Sequence, residues 1–313
     1  MRTVSLGNTG QQVSAMCLGA MLFGTKTSEP VAQKLADLYV EAGGSFIDTA
    51  NVYASWVPSG KGGESEEVLG RWMRDRANRD RIFLATKMGS RLQPSGRGLR
   101  AEQIRQECDR SLVRLKTDRI DLYYSHFYDP VTPVQESLAA FDELRRAGKI
   151  RFIGASNHPA WRLAEANTIA AQHGWEGYCC IQQRLSYARP KVQADFGVQL
   201  AATPELIDYC ATRNVTPVAY SPLLGGLYGR DDKKLDSRYQ TADTAARMES
   251  LKALAARRKV SPNTLVLAWM LASKPAVIAL FAASSEPQLR ENLSALSVEL
   301  TNEEMDALNK AGA

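Results

Sequence analysis

Along the chain, short runs of β-branched and aromatic residues alternate with longer stretches whose apolar residues recur every three or four positions. The short runs predict strands at Met16–Gly19, Ser45–Asp48, Ile82–Thr86, Ile120–Ser125, Ile150–Ala155, Cys179–Gln182, Thr216–Ala219 and Val277–Leu280. The periodic stretches predict helices at Val31–Ala42, Glu64–Arg76, Ala101–Leu115, Val134–Ala147, Ala160–His173, Pro204–Arg213, Glu249–Arg258 and Glu286–Leu296. Most strand starts lie roughly 30 to 38 residues apart, as a strand with its returning helix requires.

Eight such units predict an α/β fold, a closed (β/α)8 TIM barrel. An N-terminal β-hairpin is expected over Val4–Val13, turning at Gly7-Asn8-Thr9-Gly10, and extra helices are expected near the C-terminus. Residues 1–313 show no linker or break in composition, so one domain is the reading. The alternative, an open doubly wound sheet, lacks its GxGxxG turn; Gly60-Lys-Gly-Gly-Glu-Ser is the nearest approach. The polar stretch Gly225–Ala246 is expected to be a long loop, in which Arg230–Lys234 is a solvated run or a lid.

Composition narrows the function. Hydrophobic residues make up 44% of the chain, which excludes disorder, and no uncharged apolar run approaches the ~20 residues of a membrane span. Thirty-nine basic residues against 34 acidic ones, of both signs interspersed, suit an anionic small molecule better than nucleic acid. The five cysteines, at 17, 108, 179, 180 and 210, form no CxxC pair and no zinc spacing with histidine. No metal is therefore expected. Scattered thiols, and an N-terminus Met1–Gly7 without a signal peptide's apolar stretch, point to the cytoplasm.

A barrel carries its active site at the C-terminal ends of its strands. Asp48 ends one predicted strand, with Tyr53 five residues on; Lys87 follows the next, and His126 the one after. A phenol is a poor acid at neutral pH, and a nearby ammonium favours its ionised form. Asp48 would hold Lys87 charged against Tyr53, and His126 would hydrogen-bond a carbonyl. The set suits proton transfer coupled to reduction of C=O by hydride.

The stretch Ser45-Phe46-Ile47-Asp48-Thr49-Ala50-Asn51-Val52-Tyr53, followed by Gly63-Glu64-Ser65-Glu66, resembles the active-site motif of the aldo-keto reductases. The likeness continues through Ala85-Thr86-Lys87, Ile120–Tyr123 to His126, Gly154–Asn157, Tyr220–Leu223 and Glu291–Leu293. It implies Tyr53 as general acid/base, tuned by Lys87 and Asp48, with His126 on the carbonyl. It implies Ser156, Asn157 and Gln182 on the nicotinamide carboxamide, with Tyr220 stacked on the ring. Ser221, Leu223, Gly225 and Arg230 would meet the pyrophosphate, and Gly19 and Met21 would line the cofactor. Glu291 and Asn292 keep the adenine-side pattern. The implied cofactor is NADP(H). However, Phe281–Glu286 holds no cation for a 2′-phosphate, and Gln288 stands where arginine is common. Ser284 remains as a donor, and NAD(H) is an open alternative.

Phe23, Trp56, Phe127 and Tyr128 follow strand ends and are expected to line a substrate pocket, whose selectivity would lie in loops such as Tyr53–Gly63 and Arg184–Gly197. Trp72, Trp161 and Trp269 are expected to be packing residues, and His158 and His173 helix-end residues. The expected partners are a small carbonyl or alcohol substrate, with no nucleic acid and no membrane, in a monomer or weak homo-oligomer. The competing function is a cofactor-binding regulatory subunit, like those of channels, with little turnover.

Overall fold

The computed structural model describes residues 1–58 and 60–312; Ser59, in the Tyr53–Gly63 loop, and Ala313 lie outside the described residues. β1 (Thr3–Ser5) and β2 (Gln12–Ser14) form the antiparallel N-terminal hairpin, with Thr3 opposite Ser14. Eight parallel strands follow: β3 (Met16–Gly19), β4 (Phe46–Asp48), β5 (Phe83–Met88), β6 (Ile120–Ser125), β7 (Ile150–Ser156), β8 (Cys180–Arg184), β9 (Thr216–Tyr220) and β10 (Ile278–Phe281). They close in chain order, β10 pairing with both β9 and β3. This is a (β/α)8 barrel.

The helices α1 (Glu29–Glu41), α2 (Glu64–Arg76), α3 (Ala101–Leu115), α4 (Val134–Arg146), α5 (Ala160–Gln172) and α6 (Pro204–Arg213) return the chain between successive strands. Two helices, α7 (Thr244–Arg258) and α8 (Pro262–Leu271), precede β10, and α9 (Glu286–Leu293) and α10 (Asn302–Lys310) end the chain. Among the described residues no helix is long and apolar enough to cross a membrane.

Strand side chains alternate between the barrel interior and the helix layer. On β6, Leu122 and Tyr124 fill the barrel with Phe46, Phe83, Cys180, Val218 and Ile278, while Tyr123 packs edge-on against Phe141 of α4. The hairpin closes the N-terminal end. Leu6 and Val13 join the inner cluster, and Gly7 N donates to Thr216 Oγ1 at 2.7 Å. The opposite end is left free for chemistry.

Several boundaries differ from the sequence pattern, and the differences matter for the site. β5 runs through Lys87, β7 through Ser156 and β9 through Tyr220. The candidate residues Lys87, Ser156 and Tyr220 thus sit on the strands themselves rather than on the loops after them. α7 begins at Thr244, five residues before the apolar periodicity. Its buried face includes Arg247, whose guanidinium lies 4.2 Å from the Tyr187 ring centre and donates to Tyr187 O at 3.1 Å. A charge in a core position hid the helix start. The polar stretch before it contains short 3₁₀ turns at 227–229 and 237–239.

Candidate active site

β4 and β5 pair with Asp48 opposite Ala85, which sets Lys87 two residues further along on the same face. Both charged side chains are fully buried. Lys87 Nζ donates to Asp48 Oδ1, to Thr49 O at 2.8 Å and to the Tyr53 hydroxyl at 2.8 Å. An ammonium has three N–H groups, and all three are engaged. Asp48 Oδ2 accepts from Gln182 Nε2 at 2.9 Å, while Tyr53 OH donates to Asp48 Oδ1 at 3.3 Å. Gln182, expected to await a carboxamide, here braces the carboxylate.

The expected lowering of the Tyr53 pKa by Lys87 is not found. Burial, and then the Asp48 carboxylate, push the phenol well above its ordinary value. Burial also lowers Lys87, opposed by Asp48. The Tyr53 proton therefore stays on the phenol in this state.

His126 directly follows β6; its backbone N–H donates to Met88 O at 2.7 Å. The ring stacks on Phe127, with centroids 4.3 Å apart, and meets Tyr53 edge-on at 6.0 Å. Burial, then the Lys87 charge, holds its pKa well below the usual histidine value, so the ring is neutral. Nδ1 is buried without a hydrogen-bond partner among the described residues. A proton there would have no acceptor, which assigns it to Nε2. A neutral N–H donor from the segment after β6 and a protonated phenol from the segment after β4 thus stand side by side.

Beside them, Asn157 adopts left-handed backbone, φ 56°. Its Oδ1 accepts from Tyr220 OH at 2.8 Å and Leu200 N at 3.0 Å, and its Nδ2 donates to His126 O and Ser156 Oγ, both at 3.1 Å. One side chain ties β7, β9 and the His126 loop together. After β9 the backbone turns through left-handed conformations at Ser221, Leu224, Gly225 and Gly226. Such turns form concave nests of N–H groups that suit an anion. With a half-buried aromatic at Tyr220 and amide groups at Asn157, this donor set fits a nicotinamide dinucleotide. Gly19 ends β3, Met21 is exposed beyond it, and Leu223 packs partly on the core.

The outer rim is different. Arg230 pairs with Asp232 at 2.9 Å, and Lys233 reaches Gly225 O. Ser284 N and Oγ both donate to Gln288 Oε1 at 2.9 Å. Glu291 accepts from Ser261 Oγ at 2.6 Å, and Asn292 donates to Ala282 O at 3.2 Å. Tertiary structure also brings a cation that the local sequence lacks: Glu286 takes Lys34 of α1 at 2.5 Å and Arg290 at 2.7 Å.

Of the expected pocket residues, Trp56 is 52% exposed and meets Tyr53 edge-on at 6.3 Å. Phe127 and Tyr128 are half-buried near His126 and Trp161. Phe23 is not at the mouth. It is 1% exposed in the core, because its loop turns back with Phe23 N donating to Ala20 O. Trp161 reverses its expectation too: it is 57% exposed, flanked by Tyr128 and the Arg162 guanidinium.

Sequence reasoning missed some supporting residues. His158, read as a helix-end residue, is buried between Ser156 O, 2.8 Å from Nδ1, and Ser125 Oγ, 3.3 Å from Nε2. Burial lowers its pKa to about 4. Behind Lys87, the buried Glu66 accepts from Thr86 Oγ1 and Arg114 Nε, both at 2.6 Å. Gly70 permits that approach of α2 and α3, since a Cβ there would lie 2.3 Å from Arg114 O. The only local signal was polar residues on otherwise apolar helix faces.

Comparison with known proteins agrees with this geometry. An "uncharacterized oxidoreductase" of Bacillus subtilis (strain 168), YrpG, is 31% identical over 99% of this chain and 95% of its own. The norsolorinic acid reductase stcV of Emericella nidulans is 32% identical over 95% of this chain and 77% of its own. The solved structure of the thermostable aldo-keto reductase Tm1743, in complex with the inhibitor epalrestat, superposes with a TM-score of 0.78 at 28% identity, covering 99% of this chain and all of that one. The Aldo/keto reductase family model matches residues 15–313, and the chain belongs to that family.

Proposed function

We propose that this chain catalyses NAD(P)H-dependent reduction of an aldehyde or ketone, or the reverse oxidation of an alcohol or sugar, with Tyr53 as general acid/base. The observation that carries the reading is the commitment of all three Lys87 N–H groups, one of them to the Tyr53 oxygen. That oxygen accepts from Lys87, while its own proton rests on a long 3.3 Å bond to Asp48 Oδ1 and would turn to a substrate oxygen placed beside it. Once the proton leaves, the phenolate lies against an ammonium 2.8 Å away in a buried site, where the attraction is strong. His126 Nε2–H holds the carbonyl oxygen beside Tyr53. Asp48, braced by Gln182, keeps Lys87 charged and pointed.

The nicotinamide, when bound, supplies the hydride. Ser156 and Asn157 would hold its carboxamide, with Gln182 alongside, and Tyr220 its ring. Ser221, Leu223, Gly225 and Arg230 would face the pyrophosphate, and Gly19 and Met21 would line the path. Ser284, Gln288, Glu291 and Asn292 would flank the adenosine end. The family resemblance favours NADP(H). One observation favours NAD(H) as a second reading: Lys34 and Arg290 are both drawn to Glu286, and Ser284 is occupied by Gln288.

Loss of reduced-nicotinamide absorbance, with NADPH and NADH against aldehydes, diketones, ketosugars and norsolorinic acid, tests both points. Tyr53→Phe is expected to lower kcat by about 10²- to 10⁴-fold while nucleotide affinity holds. Full activity in that variant overturns the mechanism. Tight nucleotide binding by the unmodified chain without turnover on any carbonyl or alcohol overturns the enzyme reading in favour of a regulatory subunit.

A further inference from the structure

Glu107 lies on α3, outside the catalytic set, yet its side chain is fully buried. One oxygen, Oε1, pairs with Arg110 one turn on, at 2.5 Å. Arg110 is 42% exposed, so that ion pair alone does not require a buried carboxylate. The other oxygen, Oε2, accepts from Asn51 Nδ2 at 2.8 Å. Burying a carboxylate is costly, and buried ion pairs add little net stability.

Asn51 is the middle residue of the segment that carries the chemistry. Two residues before it, Thr49 O receives Lys87; two residues after it stands Tyr53. Its own N–H donates to Lys87 O at 3.1 Å. The Asn51 amide is held by its donors alone, since Oδ1 is buried without a partner among the described residues. Its second acceptor, Gln93 Oε1, is weaker: it lies at 3.3 Å and is shared with Gly89 N at 2.7 Å. A charged acceptor at 2.8 Å dominates a neutral, shared one.

We infer that Glu107 is a positioning residue, fixing Asn51 and through it the 49–53 segment that sets Tyr53 against Lys87. The inference rests on the reading of Tyr53 as proton donor. Displacing a catalytic group by about 1 Å costs up to ~100-fold in rate. Glu107→Ala is therefore expected to lower kcat by about 10- to 100-fold, with the carbonyl KM and nucleotide Kd changed less than about twofold. Glu107→Gln keeps an oxygen for Asn51 and is expected to recover most of that loss. Asn51→Ala is expected to match Glu107→Ala, and the double variant to lose no more than either, because one path is cut twice.

A Glu107→Ala kcat within twofold of the parent's overturns the inference. So does a Glu107→Gln as impaired as Glu107→Ala, or losses that multiply in the double variant. If Glu107→Ala fails to fold, Asn51→Ala decides: an unchanged kcat there overturns the tether. Tyr53→Phe, measured alongside, separates the two readings. An active Tyr53→Phe removes the foundation, whereas an inactive one with a normal Asn51→Ala removes only the role of Glu107.

Discussion

The mouth of the barrel has two sides built on opposite plans. On the side of β4, β5 and β6, Asp48, Lys87 and His126 are 0 to 9% exposed, and the Asp48 carboxylate accepts from donors on other strands. On the side of residues 225–292, Arg230, Asp232, Gln288 and Arg290 are exposed, and each is matched to a neighbour within a few residues. The first side is preorganised, because a buried ion pair has few other partners to choose. The second can exchange its contacts, because solvent-exposed pairs are worth little and water replaces them readily. The first property suits the proposed proton transfer, and the second suits uptake and release of the proposed dinucleotide.

The contrast breaks most decisively at Lys87. Lys87→Met leaves Asp48 buried with no ammonium, which is expected to cost about 3 to 5 kcal/mol of stability as well as the activity. Thermal denaturation and the carbonyl assay read the two effects. A variant of parental Tm that still turns over would show that the buried side is not preorganised by charge.

His158 gives an intermediate effect with a defined sign. Its folded pKa of about 4 lies below the ordinary histidine value, so the unfolded chain binds the proton first. The stability it contributes is present above pH ~6.5 and is lost as pH falls toward ~4, by about 2 kcal/mol at pH 5. His126, lowered by burial, acts in the same direction. Urea midpoints at pH 7 and pH 5 are expected to converge in His158→Gln relative to the parent; an unchanged gap would contradict the assignment.

On the exposed side the expected effect is smallest. Glu286→Gln releases Lys34 and Arg290, and is expected to raise the NADPH-over-NADH ratio of kcat/KM by about 3- to 5-fold, the scale of one surface ion pair. Its Tm is expected to match the parent's. An unchanged ratio would mean that these cations do not reach the nucleotide.

How far the sequence revealed this plan depended on distance along the chain. Asp48, Tyr53, Lys87 and His126 were legible because each stands at or near the end of a predicted strand, and the barrel sends all strand ends to one face. Phe23 and Trp161 were misplaced because a strand-end aromatic and a helical tryptophan carry no mark of which way their loop or helix face turns. The direction of the Tyr53 shift was misjudged because the ammonium is visible in sequence while the depth of burial is not.

The sequence by itself determined the eight strand–helix units, the hairpin, the family motif and the candidate residues for proton chemistry. These follow from periodicities of two and 3.6 residues and from short spacings, which are local properties. Only the tertiary structure decided that Gln182 braces Asp48 across 134 residues, that Asn51 finds Glu107 across 56, and that Lys34 of α1 shares Glu286 with Arg290. Those pairings are set by how the helix layer packs around the closed barrel. A side chain's partner there is whichever group the packing leaves within reach once water is excluded.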